Sequence, residues 1–188
     1  MSVIMKRLRQ ARMDFKIVLE TLTSEFARYG ISYALIGGMA FNLWGVHRST
    51  VDVDFLVLRD DMEKVAAIME GNGYECRFRT ENVSQFVSPL RVFGEVDFLH
   101  AFRDAAVTML KRPTVKAAFN GQLNINVLGP EDLIGLKLQA MKNDPQRVPV
   151  DASDIRTLVS ICKNSLDVES IKKYFEIFEM DFHDFFKE

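Results

Sequence analysis

Residues 33–58 read Y-A-L-I-G-G-M-A-F-N-L-W-G-V-H-R-S-T-V-D-V-D-F-L-V-L, and no other stretch constrains the fold as strongly. A short apolar run is followed by Gly37-Gly38, a segment able to form a turn or two of helix, a polar turn at 45–50, and a β-prone run at 51–58. In a strand, residues i and i+2 share a face. Asp52 and Asp54 therefore project together, and Val51, Val53 and Phe55 project to the other side. Two carboxylates on an otherwise apolar strand repel each other and resist burial. A hard cation such as Mg²⁺ makes the pair favourable. The glycine pair falls where a strand ends and a helix begins, a position that offers backbone N–H groups to a phosphate. A phosphate cradle beside a metal-binding carboxylate pair points to nucleotide chemistry. The plainer alternative is a tight turn followed by two solvated aspartates. Asp is depleted in strands, and the flanking residues here are strongly apolar.

The rest of the chain supplies further charged groups in revealing positions. Residues 94–100, G-E-V-D-F-L-H, form a second β-prone run with Asp97 inside it. If this run pairs beside 51–58, Asp97 joins Asp52 and Asp54 as a third metal ligand or as a general base for an attacking hydroxyl. Lys137 lies four residues after Leu133 and four before Met141 on a helical pattern, so it falls on the apolar stripe. A lysine there either snorkels to water or meets an anion, such as a nucleotide phosphate or a nearby carboxylate. Arg48, Ser49 and Thr50 immediately precede the acidic strand. Arg48 is a candidate phosphate contact, with Ser49 or Thr50 as donors; each taken singly also fits a solvated turn. Asp151 and Asp154 share a helix face or cap it, and His47 and His100 have no ligand-like spacing to each other. No Gly-Lys-Ser/Thr follows the glycine pair, so the chain lacks a P-loop.

In chain order, the pattern predicts an amphipathic helix over 2–29 carrying Phe15, Val18, Leu19, Leu22 and Phe26. The strand–glycine turn–short helix–strand unit follows, then a helix over 61–70. Strands are predicted at 74–78, 85–93 and 94–100, and a short helix at 103–111. Asn120-Gly121 marks a hairpin between 115–119 and 122–128. Pro130 opens a helix to about Lys142, 143–150 is a loop, and Asp151 or Ser153 caps a further helix to about Lys163. An aromatic helical region from Asp167 ends the chain. Its phenylalanines pack on the core or form a partner surface or dimer contact. This is an α/β (α+β) architecture: a mixed sheet flanked by helices, with residues 1–128 as the core and 129–188 as a helical C-terminal portion packed on it.

Composition narrows the setting. With 188 residues, 48% hydrophobic and 27% charged, the chain suits one good core. A net charge of -2 announces no global field for nucleic acid. The basic residues between Lys6 and Arg12 are only a weak local pointer. Two widely separated cysteines without metal spacing, no apolar run of membrane-spanning length and no signal-peptide pattern lead us to expect a cytoplasmic protein with reduced thiols and no membrane partner.

Gly-Gly, thirteen residues, Asp-Val-Asp, then a later lone Asp on a strand resembles the nucleotidyltransferase superfamily related to DNA polymerase β. The segment L-G-P-E-D-L-I-G-L-K-L-Q-A-M, then Arg147, then D-A-S-D-I-R-T-L is similar to the small bacterial AbiEii-like members. The resemblance covers about 31–158 and implies a nucleotidyltransferase-type fold. It implies that Gly37 and Gly38 hold an NTP triphosphate, that Asp52 and Asp54 bind Mg²⁺ (two ions in the full arrangement), and that Asp97 completes the set. Lys137, with Asp151, matches the later lysine and aspartate of the toxin-like relatives. The chain differs at Val150, where the pattern has lysine, and at Gly38, where serine is common. The implied activity is transfer of an NMP from an NTP such as ATP to a hydroxyl acceptor: a tRNA end, a protein side chain or a small molecule. A toxin–antitoxin setting, with an antitoxin or homodimer partner, goes with the resemblance. The competing reading is a catalytically inactive nucleotide-binding or protein-interaction module on the same fold.

Overall fold

The computed structural model describes residues 13–186. A seven-stranded mixed sheet forms the centre, with strand order β3-β4-β5-β2-β1-β7-β6. The strands are β1 (Tyr33–Ile36), β2 (Asp52–Leu58), β3 (Glu75–Arg79), β4 (Val83–Val87), β5 (Glu95–Ala101), β6 (Thr114–Ala118) and β7 (Leu123–Val127). The β2–β5 and β1–β7 pairs are parallel, and the other neighbours are antiparallel. The helices are α1 (Phe15–Arg28), α2 (Gly37–Leu43), α3 (Met62–Gly71), α4 (Asp104–Leu110), α5 (Pro130–Asn143), α6 (Val148–Cys162), α7 (Val168–Ile177) and α8 (Phe182–Phe186). The expected mixed sheet with flanking helices is what forms.

One sheet face is the main core. Alternation along β2 and β5 sends Val53, Phe55, Val96 and Phe98 to this face, all but fully buried. Helix α1 buries Val18, Leu19, Leu22 and Phe26 on a single stripe. The Phe26 ring lies 5.4 Å from both Tyr33 and Phe55, edge-on to the latter. Phe55 stacks on Phe98 at 5.8 Å, so the aromatic core bridges the β2–β5 junction.

Several boundaries differ from expectation. Helix α1 starts at Phe15, because Asp14 is its N-cap and accepts from the Ile17 N–H. The earlier part of the expected helix, with the Lys6–Arg12 cluster, lies outside the described residues. Strand β4 ends at Val87 rather than extending to Phe93. Pro89 has no N–H for a ladder, and the chain turns back through Ser88 N–H to Gly94 O at 2.9 Å. The expected 143–150 loop is a 3₁₀ turn, Pro145–Arg147, followed directly by α6. Pro149 sits in the first turn of α6, where its missing N–H costs nothing. Asp151 is therefore inside the helix and caps nothing. The terminal aromatics pack together: Phe175 is buried, 5.4 Å from Phe182 and 5.1 Å from Phe185. Asp132 ties the helices to one another by accepting from Tyr174 Oη and Arg112 Nη2, each at 2.7 Å.

Candidate active site

The second sheet face carries the acids. Asp54 and Asp97 are register partners on parallel strands, and Asp52 precedes Asp54 on the same face. One carboxylate oxygen from each of Asp52, Asp54 and Asp97 lies within 4.8 Å of the other two. The pairing of β5 beside β2, on which the three-carboxylate expectation depended, is present over the full length of both strands.

The glycine pair makes this possible. Gly37 has φ +61°, and a Cβ there would lie 1.9 Å from Asp54 Oδ2. A Cβ on Gly38 would lie 2.6 Å from Thr50 Oγ1. Only glycine lets the β1–α2 backbone approach β2 so closely. The Gly38 N–H lies close enough to the Asp54 carboxylate to favour its charged form. Thr50 Oγ1 donates to Asp52 Oδ1 at 2.8 Å, so this hydroxyl orients a carboxylate. Ser49 is exposed on the turn. The turn itself is held by Asn42, whose side chain receives the Arg48 N–H at 2.9 Å and donates to the Arg48 carbonyl at 3.0 Å.

Two of the acids resist ionisation. Burial, reinforced by Asp52 and Asp97, pushes Asp54 up to about 7, against the opposing effects of Arg48 and the Gly38 N–H. Burial also raises Asp97 to about 6; the neighbouring Gln85 amide, which donates to Glu95 Oε1 at 2.6 Å, opposes this, and Glu95 and Asp52 add to it. Asp97 Oδ1 is buried and has no hydrogen-bond partner. A buried carboxylate oxygen without a donor, beside two further carboxylates, fits a divalent cation.

Lys137 is 8% exposed and bonds Asp151 Oδ1 and, at 2.7 Å, Asp154 Oδ2. Its ammonium also lies 5.0 Å from the Phe41 ring centre. Arg147 Nε reaches Asp151 Oδ2 at 2.9 Å, and Arg48 Nη1 pairs with Asp154 Oδ2. Of the anions open to Lys137, nearby carboxylates are the ones it meets. Burial alone would raise Asp151, but the Lys137 and Arg147 hydrogen bonds outweigh it and hold the carboxyl below its ordinary range. The network joins the turn before β2 to α5 and α6. Sequence reasoning missed Asn42 and Gln85 as participants, and named Arg147 in the resembled segment without giving it a role. For Asp151 and Asp154, the three-residue spacing on a helix was the available signal.

Asp54 and Asp97 open into a cleft of about 750 Å³ whose walls include β1, β2, β4, β5, α4 and α5. Gly37, Asp54, Asp97, Lys137 and Arg147 all line it. The site thus combines an acidic centre, close backbone approach and cationic side chains around one concave space. Among the described residues, no helix is long and apolar enough to cross a membrane.

The architecture is similar to those of solved nucleotidyltransferases. ANT(2")-Ia in complex with adenylyl-2"-tobramycin shares 16% identity over 87% of this chain and 95% of that one, with a TM-score of 0.63. The lincosamide antibiotic adenylyltransferase LnuA, lincomycin-bound, shares 17% over 80% and 99%, with a TM-score of 0.55. An antigenic nucleotidyltransferase-like protein from Paracoccidioides brasiliensis shares 16% over 89% of each chain, with a TM-score of 0.57. At these identities the likeness is one of fold. No curated protein matches the chain. The family described as "Nucleotidyl transferase AbiEii toxin, Type IV TA system" matches residues 20–184. That match spans well over half of the sequence, and the chain belongs to this AbiEii family of nucleotidyltransferases.

Proposed function

We propose that the protein transfers a nucleoside monophosphate from an NTP, ATP among them, to a hydroxyl acceptor in a Mg²⁺-dependent reaction. The observation that carries this reading is the convergence of Asp52, Asp54 and Asp97 beside the cleft, with Asp97 Oδ1 buried and unsatisfied. These three carboxylates would hold Mg²⁺, as one ion or two. When bound, the ion supplies Lewis-acid stabilisation of the phosphoryl oxygens.

The chain's own residues have distinct tasks. Gly37 and Gly38 bring backbone against the triphosphate, and Arg48, Ser49, Thr50 and Lys137 contribute donors and positive charge. Residues 1–128 act as the phosphate- and metal-binding core, and the helical portion 129–188 closes the cleft through Lys137 and Arg147. Asp97 takes the acceptor's hydroxyl proton. The acceptor oxygen forms a bond to the α-phosphorus, the bond from that phosphorus to its bridging oxygen breaks, and pyrophosphate leaves with the electron pair. Positioning and electrostatics do most of the catalytic work in such a displacement.

A tRNA end, a protein side chain and a small hydroxylated molecule all suit this chemistry. The solved relatives include enzymes whose named ligands are a tobramycin adduct and lincomycin. The family description supports a toxin role in a toxin–antitoxin setting, and an antitoxin or a homodimer is the candidate partner. The free cysteines, exposed Cys76 and buried Cys162, suit a reducing cytoplasm.

The test is incubation with labelled NTPs, Mg²⁺ and a cell extract, asking which molecule gains label. Wild type is expected to release pyrophosphate and label an acceptor, and Asp52→Ala to do neither. A wild type that binds no Mg²⁺-NTP and releases no pyrophosphate with any acceptor would make the chain an inactive binding or interaction module.

A further inference from the structure

Asp97 has a register partner on each side. Asp54 lies opposite it on β2 and Gln85 opposite it on β4, so the three side chains share the acidic face. Phe78 lies opposite Gln85 on β3, after the register shift that follows Cys76, and its ring offers the amide no polar partner. Gln85 turns to β5 instead, where its Nε2 donates to Glu95 Oε1 at 2.6 Å. Glu95 stands two residues before Asp97 and opposite Asp52, so it brings a fourth carboxylate to this face.

Neither charge nor strand pairing accounts for a carboxylate at position 95. Burial already raises the Asp97 carboxyl, and Glu95 adds to that effect. Strands β4 and β5 are joined over five consecutive register pairs, from Val83–Leu99 to Val87–Glu95, without help from the side-chain bond.

What a carboxylate does that a neutral partner would not is select one end of an amide. It only accepts hydrogen bonds, so it takes the NH₂ end of Gln85 and turns Oε1 away. A hydroxyl or a second amide would tolerate either end. With one N–H of Nε2 held by Glu95, the other is left for Asp97, and the Gln85 amide does favour the charged form of Asp97 against burial. Asp97 Oδ1 is buried and has no partner, so the oxygen open to the amide is Oδ2. Oδ1 is left for an ion. Asp52 is steadied in a comparable way by the Thr50 hydroxyl at 2.8 Å.

We propose that Glu95 and Gln85 are positioning residues of the metal centre. Glu95 fixes the end of the amide that Gln85 presents, and Gln85 holds the Asp97 carboxylate so that Oδ1 meets a divalent cation. This deepens the transfer reading and rests on it for the ion. Partners that orient a metal ligand in this way commonly matter nearly as much as the ligand itself.

Mn²⁺ alone, titrated into the full chain and followed by electron paramagnetic resonance, tests the pair without nucleotide or turnover. Wild type is expected to bind the ion and Asp54→Asn to lose it. Gln85→Ala and the isosteric Glu95→Gln should each weaken binding about tenfold, the scale for an outer partner of a metal ligand. The double variant should be no weaker than either single one, because both residues act through one contact. The exchanged pair, Gln85→Glu with Glu95→Gln, keeps the net charge and still allows a hydrogen bond between the two positions, but it sets a carboxylate against Asp97. It should stay at least about tenfold weak. A diffuse field of negative charge would give another pattern: Gln85→Ala unchanged and the exchanged pair restored. That pattern overturns the proposal, as do additive losses in the double variant or binding that ignores Asp54→Asn. Melts in EDTA show which variants fold, and Glu95→Gln with the exchanged pair decides the matter if Gln85→Ala does not. Wild-type affinity in every Gln85 and Glu95 variant removes the proposal and leaves the transfer reading intact. A wild type that takes up no Mn²⁺ removes the metal centre, and both readings with it.

Discussion

Asp54 and Asp97 are direct register partners across the parallel β2–β5 junction, although 43 positions separate them in the chain, 97 minus 54. Neither carboxyl keeps its ordinary value of 3.8: Asp54 is raised to about 7 and Asp97 to about 6, burial being the main cause of both.

That relationship sets a pH dependence. A carboxyl with a raised pKa holds its proton in the folded chain at a pH where the unfolded chain has lost it. Raising the pH from about 4 through about 7 therefore weakens folding, by roughly 1.4 kcal/mol for each unit of displacement before solvent screening. Mg²⁺ binds the ionised acids and should offset the loss. Thermal melts should show a larger Mg²⁺-induced rise in Tm at pH 8 than at pH 5. Asp97→Asn should melt higher than wild type in EDTA at pH 8 and show a diminished Mg²⁺ response.

Gly37→Ala should be far more damaging than Gly30→Ala, although both glycines have φ near +60°. At Gly30 an added Cβ meets nothing within 4 Å, so only backbone strain of about 1 kcal/mol applies. At Gly37 the Cβ would collide with Asp54, and the carboxylate must move. Urea denaturation is expected to give a loss of about 2–4 kcal/mol for Gly37→Ala, and labelling assays at least a hundredfold loss of transfer. Gly30→Ala should keep its activity.

Lys137→Met should destabilise by about 3–5 kcal/mol, because Asp151 and Asp154 stay behind with less compensation. The double variant Lys137→Met, Asp151→Asn should recover part of that loss, a coupling of about 1–3 kcal/mol in a double-mutant cycle. Asp151 is held below its ordinary range, so its contribution is present above pH 4 and is lost as pH falls through its lowered pKa. Acid titration of folding should show this loss in wild type and a smaller one in Lys137→Met.

Asn42→Ala removes both hydrogen bonds that hold the Arg48 backbone. It should lower stability by only about 1–2 kcal/mol. Transfer should suffer more, with KM for the NTP raised about tenfold and the KM for the acceptor unchanged. Steady-state kinetics with each substrate varied in turn would separate this from general loosening, which would move both.

What the sequence made legible was what depends on short-range periodicity. The two-residue spacing of Asp52 and Asp54, the glycine pair and the apolar stripe of α1 each fold as their spacing implies, and Asp97 falls on the strand expected of it. What it concealed depends on long-range partners. Lys137 announced an anion without saying which, because Asp151 and Asp154 reach it only through the turn that starts α6 at Val148. Gln85 carried no signal, since its place depends on which strand neighbours β5. Phe78 was hidden more deeply, because the β3–β4 register shifts between Cys76 and Phe78 and inverts the face that alternation assigns to it.

The register of β2 against β5 also bears on how the gene can tolerate change. Strand geometry has parity, so inserting or deleting one residue at the start of β5 would turn Asp97 into the core and Phe98 into the cleft. The turn at 88–94 can vary in length, provided the variation is absorbed before Glu95. Among relatives of this chain, length differences should accumulate in that turn and be purged from the strand that follows it.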